Sequence, residues 1–374
     1  MPLKAEMTVG KVLISTTSRF VGEWQEEGFA LSHAWPEFGD RVKATIGCVE
    51  NSHCRNYFVA SFETSPPTRD GNMLVLPDCT GHGNKICACL SVLFGKRFDN
   101  HGCFEASGRY HVPKNLDKDP ILKPKHPIHS HRPRPDLAIQ LNLSESARIL
   151  PVLDSSTPIE PAVRPSFLTA ARFYWLALQE FDADPERAFL DLVTCGEVIA
   201  NTRHFEVHEL LDDQTKVDLD RIEREIGGGA DVRKRLCGRL RQVKRGFVRA
   251  LAEPLNEHFY IGSEAGPHSY RLTPQNIEES LAAAYDVRSQ YVHGGSNFGM
   301  SVQGMDYEEV VQCFSSAYEQ SFLNLIKRSA TFLGLERVLR FGMLGLLHRS
   351  GVPIDDRLAP SPQLTSGNAG VRGT

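Results

Sequence analysis

Ten of the chain's 22 prolines fall between residues 113 and 165. No regular helix or central strand runs through such a stretch, because each proline fixes φ and removes a backbone donor. Its densest part, residues 123–137, reads KPKHPIHSHRPRPDL. The patterning differs on the two sides of it. Before it come short apolar runs cut by turn residues; after it, apolar residues recur at three- and four-residue steps, the helical period. The expected class is therefore α+β. A mostly β or α+β domain is expected over 1–112, a proline-rich linker over 113–165, an all-α bundle over 166–350, and a largely disordered tail over 351–374. Within the linker, LAIQLNLS is a candidate short strand.

In the first segment KVLIST, NYFVASFET, NMLVLPD and ACLSVLFG read as strands, and RDGN (69–72) as the turn of a hairpin. In the helical segment, SFLTAARFYWLALQEF begins at Ser166 as a cap. DPERAFLDLVTCGEVIAN opens with Asp184 as cap and Pro185 at the first helical position. ADVRKRLCGRLRQVKRGFVRALAEPL is a third helix. TPQNIEESLAAAYDVRSQYVHGG is a fourth, with Thr273 as cap and Gly294 as stop. MDYEEVVQCFSSAYEQSFLNLIKRSATFLG reads as a further long helix.

With 374 residues, 24% of them charged, and a net charge of −4, the chain is no histone-like nucleic-acid binder, though a local basic surface is allowed. The opening MPLKAEMTVGKVLISTTSRF lacks a continuous apolar core, so no secretory leader is expected. FGMLGLL (341–347) is too short to span a bilayer. A cytoplasmic protein without a membrane segment, its nine cysteines reduced, is the expectation. Cys48, Cys54, Cys79, His82, Cys87, Cys89, His101 and Cys103 form the densest set of zinc-type ligands, and a zinc module is one reading of the first domain. Their spacings include no standard knuckle, and buried metal-free cysteine is a common core residue. HPIHSH (126–131) reads as a solvated loop. GHGNK and EIGGGAD match no phosphate-binding glycine motif, and no nucleophile elbow or H-E-x-x-H is present. Neither metal nor cofactor is expected.

Residues 231–249 carry eight cations, Arg233, Lys234, Arg235, Arg239, Arg241, Lys244, Arg245 and Arg249, against one acid, Asp231. Val232, Leu236, Leu240, Val243, Phe247 and Leu251 form an apolar stripe beside them. Such a face is either solvated or a surface for phosphates, with Arg241, Lys244 and Arg245 as candidate RNA contacts.

An arginine followed five residues later by a histidine occurs twice, as Arg203 with His208 and as Arg288 with His293. Only the second pair lies inside a helix with start and stop signals. There the two residues differ by about 140° around the axis and roughly 7.5 Å along it, so they flank a helix end instead of sharing a face.

The surrounding AYDVRSQYVHGG resembles the signature of HEPN domains, in particular of the ApeA-like group, whose late helix often reads R-S-x-x-V-H-G. The resemblance is sharp over 276–296 and extends in helix order over 166–340. It implies a helical bundle that dimerises with its motif helices together, metal-independent cleavage of RNA, an assisting acid at the place of Glu197, and a role in antiviral defence or stress. The alternative it leaves is a non-catalytic HEPN module for dimerisation, interaction or nucleotide binding. The residue types suit the chemistry. Cleavage by the ribose 2′-hydroxyl needs a base, an acid and a cation on the developing phosphorane charge. Histidine performs either proton transfer, and arginine grips phosphate through a fork of N–H donors. One chain offers one histidine in this helix; a two-fold dimer offers two. The N-terminal domain would then sense a ligand or trigger, or set specificity.

Overall fold

The structure is a computed structural model that describes residues 7–34, 55–110, 130–137, 139–239, 243–266, 268–304, 307–312 and 318–359. An N-terminal sheet region precedes a mostly helical C-terminal part, an α+β arrangement.

The N-terminal elements are β1 (Thr8–Thr16), β2 (Trp24–Glu26), β3 (Phe29–His33), β4 (Asn56–Thr64), β5 (Thr68–Asp70), β6 (Met73–Val75), α1 (Cys79–Phe94), β7 (Asp99–Ala106) and β8 (Arg109–Tyr110). Six strands form one antiparallel sheet in the order β2-β3-β4-β1-β7-β8. Alternate residues of β1 (Val12, Ile14) and β4 (Phe58, Ala60, Phe62) are buried, the period of two that puts one face of a sheet in the core. Phe20 joins sheet to helix, packing edge-on against Phe58, Phe94 and Phe98. The expected RDGN hairpin forms as β5 and β6, with Asp70 paired to Met73.

ACLSVLFG is not a strand; it is the second half of α1. The Asp78 side chain accepts from the Gly81 N–H to start this helix, and every residue over 86–96 is buried. A run buried on all sides has no periodicity to separate helix from strand.

The described part of the proline-rich stretch packs into the core. It forms two 3₁₀ turns, Leu143–Arg148 and Leu150–Leu153, and LAIQLNLS contributes an isolated bridge between Val21 and Asn142. Arg134 and Asp136, from its most proline-dense part, are buried.

The helices that follow are α2 (Val163–Glu180), α3 (Pro185–Ala200), α4 (Val207–Leu210), α5 (Asp213–Glu225), α6 (Gly229–Arg239), α7 (Val243–Ala252), α8 (Glu257–Ile261), α9 (Ile277–Gly294), α10 (Gln320–Ile326) and α11 (Phe332–Arg349). Asp184 caps α3 as expected, accepting from the Arg187 N–H at 3.0 Å. Ser166 does not cap α2. That helix starts at Val163, and the Ser166 hydroxyl donates back to the Ala162 carbonyl. Nor is Thr273 the cap of α9: Asn276 precedes the helix, its Oδ1 accepting from the Thr273 N–H and its Nδ2 donating to the Arg271 carbonyl. Gly294 is the last helical residue. Gly295 ends the helix at φ 67°, a conformation glycine adopts without cost. The basic stretch forms two helices, α6 and α7, with residues 240–242 outside the described residues.

The long helix expected from residue 305 is not one helix. Residues 307–312 are non-helical and bridge Val310 to Ala330, and α10 has seven residues. The reason lies in Glu309, whose buried carboxylate accepts from Ser263 Oγ and the Leu272 N–H, both at 2.8 Å, and from Arg337.

Helix α11 is the axis of the core. Residues 332–345 are all buried, Glu336, Arg337 and Arg340 included. Arg340 donates to Asp136 at 3.0 and 3.2 Å and to the Val92 and Leu93 carbonyls at the end of α1. Arg134 binds Glu336 at 2.9 Å, lies 3.0 Å from Glu264, and reaches the Gly95 carbonyl. Tyr174 of α2 donates to Glu336, and Arg337 also donates to the Phe259 carbonyl. Burial alone would raise the Asp136 carboxyl; Arg340, Arg337 and Arg134 hold it below the ordinary range.

Beside this network, Lys96 is fully buried, and its Nζ has no hydrogen-bond partner among the described residues. Burial, reinforced by Arg134, lowers its pKa to about 7. An unfolded lysine titrates near 10.4, so between these pH values the unfolded chain holds a proton that the folded chain lacks. Stability attributable to this group therefore rises with pH across that window. Lys96→Met is expected to stabilise the protein at pH 7 by a few kcal/mol, an advantage shrinking by about 1.4 kcal/mol per pH unit up to roughly pH 10. Urea denaturation of both proteins at pH 7 and 9.5 measures it, and equal stabilities at pH 7 would contradict it.

Candidate functional site

Near the end of α9, the Arg288 Nη2 lies 3.2 Å from Glu197 Oε2 on α3, each side chain about a quarter exposed (24% and 23%). Tyr285, one turn earlier on the same face, places its ring 5.9 Å below the Arg288 guanidinium. That ring rests on Phe247 of α7 at 5.2 Å. Burial, then the neighbouring Glu197 carboxylate, raises the Tyr285 hydroxyl above its ordinary pKa. Asp286 receives Lys244 of α7 at 3.0 and 3.1 Å. Three helices thus hold one polar cluster over an apolar base. It can bind a phosphate through a guanidinium whose orientation is fixed by a carboxylate and an aromatic face.

His293 stands apart. It is exposed in the last turn of α9, and no hydrogen bond or ion pair joins it to Arg288 or Glu197 among the described residues. Val292 beside it is 52% exposed, and Met300, on the segment that follows, 61%. The structure therefore brings Arg288 and Glu197 together and leaves His293 facing outward. Sequence reasoning missed Tyr285, Asp286 and Phe247. The only available signal is that Tyr285 precedes Arg288 by three residues on a helix.

The basic stretch looks different in space. Lys244 is paired with Asp286, and Arg245 donates to the Leu210 carbonyl and lies 3.3 Å from Asp212. Arg233 binds Glu223 and Asp220, and Arg249 binds Glu253. Carboxylates from α5, α9 and the turns around them offset much of the charge that the sequence concentrates. Arg241 lies outside the described residues.

The other candidates are absorbed by packing. Arg203 pairs with Glu253 at 2.7 Å and stacks on Phe205; the side chain of its sequence partner His208 lies outside the described residues. Cys48, Cys54, His126 and His129 also lie outside them. Cys79 and Cys89 are buried, and burial pushes both thiols up to about 12. Cys87, also buried, is raised well above its ordinary value. His82 packs on Phe62, His101 hydrogen-bonds Ser15 at 2.7 Å, His131 Nδ1 accepts from the Arg19 N–H, and the Cys103 thiol donates to the Glu105 carbonyl. Among the described residues no three His, Cys, Asp or Glu side chains converge to hold a metal ion, and no helix is long and apolar enough to cross a membrane.

The Arg288–Glu197 pair is reached by solvent on both sides. Arg288→Ala and Glu197→Gln should each change stability by less than about 1 kcal/mol, the usual worth of a surface ion pair. Urea titration measures this, and a loss above roughly 3 kcal/mol would mark the pair as a buried-type structural element instead.

A scan against protein-family models, a search of curated proteins and a search of solved structures each return no match.

Proposed function

We propose that the helical part is a HEPN-type bundle and that the protein is a metal-independent endoribonuclease acting as a homodimer. The observation that carries this reading is the Arg288–Glu197 pair between α9 and α3, with His293 exposed at the end of the same helix. In the proposed reaction His293 of one copy removes the proton from a ribose 2′-hydroxyl. The oxygen attacks the adjacent phosphorus, and the departing 5′-oxygen takes a proton from the second copy's His293. Arg288 stabilises the charge gathering on the phosphorane oxygens, and Glu197 holds its guanidinium in place. Two copies are needed because each motif helix offers one histidine. The exposed Val292 and Met300 supply apolar surface that such a pairing would cover. The sheet region would sense a trigger or set specificity, and defence or stress response is the setting.

A second reading rests on the same ion pair. An arginine already satisfied by Glu197 serves a bundle that dimerises and binds partners without cutting.

Purified protein should cut mixed RNA in the presence of EDTA, leaving 2′,3′-cyclic phosphate and 5′-hydroxyl ends detectable by mass spectrometry. Arg288→Ala and His293→Ala should each lower the rate by at least about a hundredfold, the scale of one lost charge-stabilising or proton-transfer group. Full activity in either variant, or in a monomer, would refute the composite site; a dimer that binds RNA without cutting it selects the second reading.

Lys244 and Arg245 are proposed to exchange their carboxylate partners for RNA phosphates. Joint reversal to Glu should weaken binding and flatten its salt dependence, the slope falling by about 0.7 for each phosphate no longer neutralised. Filter binding across a salt series reads it, and an unchanged slope assigns both residues to their ion pairs alone.

A further inference from the structure

A cleft of about 670 Å³ opens between the ends of α3, α7 and α11, and three arginines line it: Arg203, Arg249 and Arg349. Its acids are Glu253 and Glu160. Glu253 is shared, binding Arg203 at 2.7 Å and Arg249 as well. Arg203 and Arg249 also stack on Phe205, with ring distances of 5.4 and 4.8 Å, which fixes the direction of both guanidiniums.

Arg349 is the group the fold leaves unexplained. It is exposed, and among the described residues it meets no carboxylate. Its guanidinium lies against Gly345, where an added methyl would come within 3.1 Å. Burial of its stem, then repulsion from Arg203, lowers its pKa from the ordinary arginine value. The usual structural task of such an arginine, capping the last carbonyls of a helix, is already done by others. Ser350, Gly351 and Val352 N–H groups bond the carbonyls of Leu346, Leu347 and His348 at the end of α11. Asn201, Thr202 and Arg203 N–H groups do the same for Glu197, Ile199 and Ala200 at the end of α3.

We infer that this cleft binds a phosphate group, held by Arg349 together with Arg203 and Arg249. Glu253, together with Glu209 at 3.5 Å from Arg249, takes only part of the donors of three guanidiniums, and an anion with three acceptor oxygens uses the remainder. The cleft volume lies in the range that encloses a small phosphorylated molecule. The phosphate belongs either to such a molecule or to an RNA backbone. The site stands apart from the Arg288 cluster and does not depend on the nuclease reading.

Calorimetric titration of the full chain with inorganic pyrophosphate, and separately with a short single-stranded RNA lacking terminal phosphates, tests the site without reference to cleavage. Pyrophosphate should bind. Arg349→Ala should weaken it by about tenfold or more, as expected for a lost charge-assisted hydrogen bond, while Arg349→Lys should weaken it less. Glu253→Gln should tighten binding, because it frees Arg203 from its carboxylate and leaves Arg249 only the more distant Glu209; a purely structural role for Glu253 predicts no gain. RNA whose binding is competed by pyrophosphate and weakened by Arg349→Ala identifies a backbone phosphate. Pyrophosphate binding that RNA leaves untouched identifies a free phosphorylated ligand. No pyrophosphate binding at millimolar concentration, binding indifferent to Arg349→Ala in a variant whose thermal melt matches the parent, or weaker binding in Glu253→Gln would overturn the proposal.

Discussion

Arg340 sits in the middle of the most buried helix of the protein and directs its donors to groups outside that helix. Two go to carbonyls at the end of α1, which belongs to the sheet region, and the rest to Asp136 in the proline-rich stretch. Arg134 runs the other way, from that stretch to Glu336 on α11 and to the Gly95 carbonyl. Sheet region, proline-rich stretch and helices are therefore tied through charges that solvent does not reach. A buried ion pair gains little net stability, because taking both charges out of water is costly, yet removing one partner leaves the other uncompensated at roughly 3–5 kcal/mol. Such a network favours one arrangement over alternatives more than it adds stability. The shared carboxylates have this effect: Glu336 serves Arg134 and Tyr174 together, and Glu309 serves Arg337, Ser263 and Leu272.

The same network explains which elements are legible in the sequence. Helix α3 is legible because it begins at the surface, where Asp184 and Pro185 carry out capping visible in the residue types, and the β5–β6 turn is legible for the same local reason. Helix α11 shows only as the short apolar run FGMLGLL. A helix buried on all sides has no polar face and so no period, and its charged residues look misplaced until Asp136, Glu309 and Arg134 are seen against them. ACLSVLFG misleads for the same reason. The helix expected from residue 305 does not form because the need of Arg337 for Glu309 overrides local propensity, a long-range requirement that no window of sequence contains.

The candidate site divides along the same line. Arg288 and His293 stand out because their spacing sits on a stretch of helical pattern closed by two glycines, even though Asn276 and not Thr273 precedes the helix and Gly295 and not Gly294 ends it. Charge counted along the basic stretch omits Asp286, Asp212, Glu223 and Glu253, which fold back against it and are not seen in the stretch itself. The cleft at Arg349 is invisible in the sequence altogether. Its arginines come from three separate segments, and only the packed ends of α3, α7 and α11 bring them together.

The polar cluster is nevertheless a product of the core beneath it. Gly196 precedes Glu197 on α3, and a methyl there would meet Phe247 of α7 at 2.5 Å and Leu339 of α11 at 3.1 Å. Close approach of three helices at this point requires the bare glycine. Phe247, pressed on Gly196 from below, also carries the Tyr285 ring that supports Arg288. The distance from the Glu197 carboxylate to the Arg288 guanidinium is thus set through one continuous stack from α11 to the surface. Leu339 is the neighbour of Arg340 in that helix. The buried charges that fix α11 against the sheet region therefore lie in the same packed body as the exposed pair, joined to it through Leu339, Gly196, Phe247 and Tyr285.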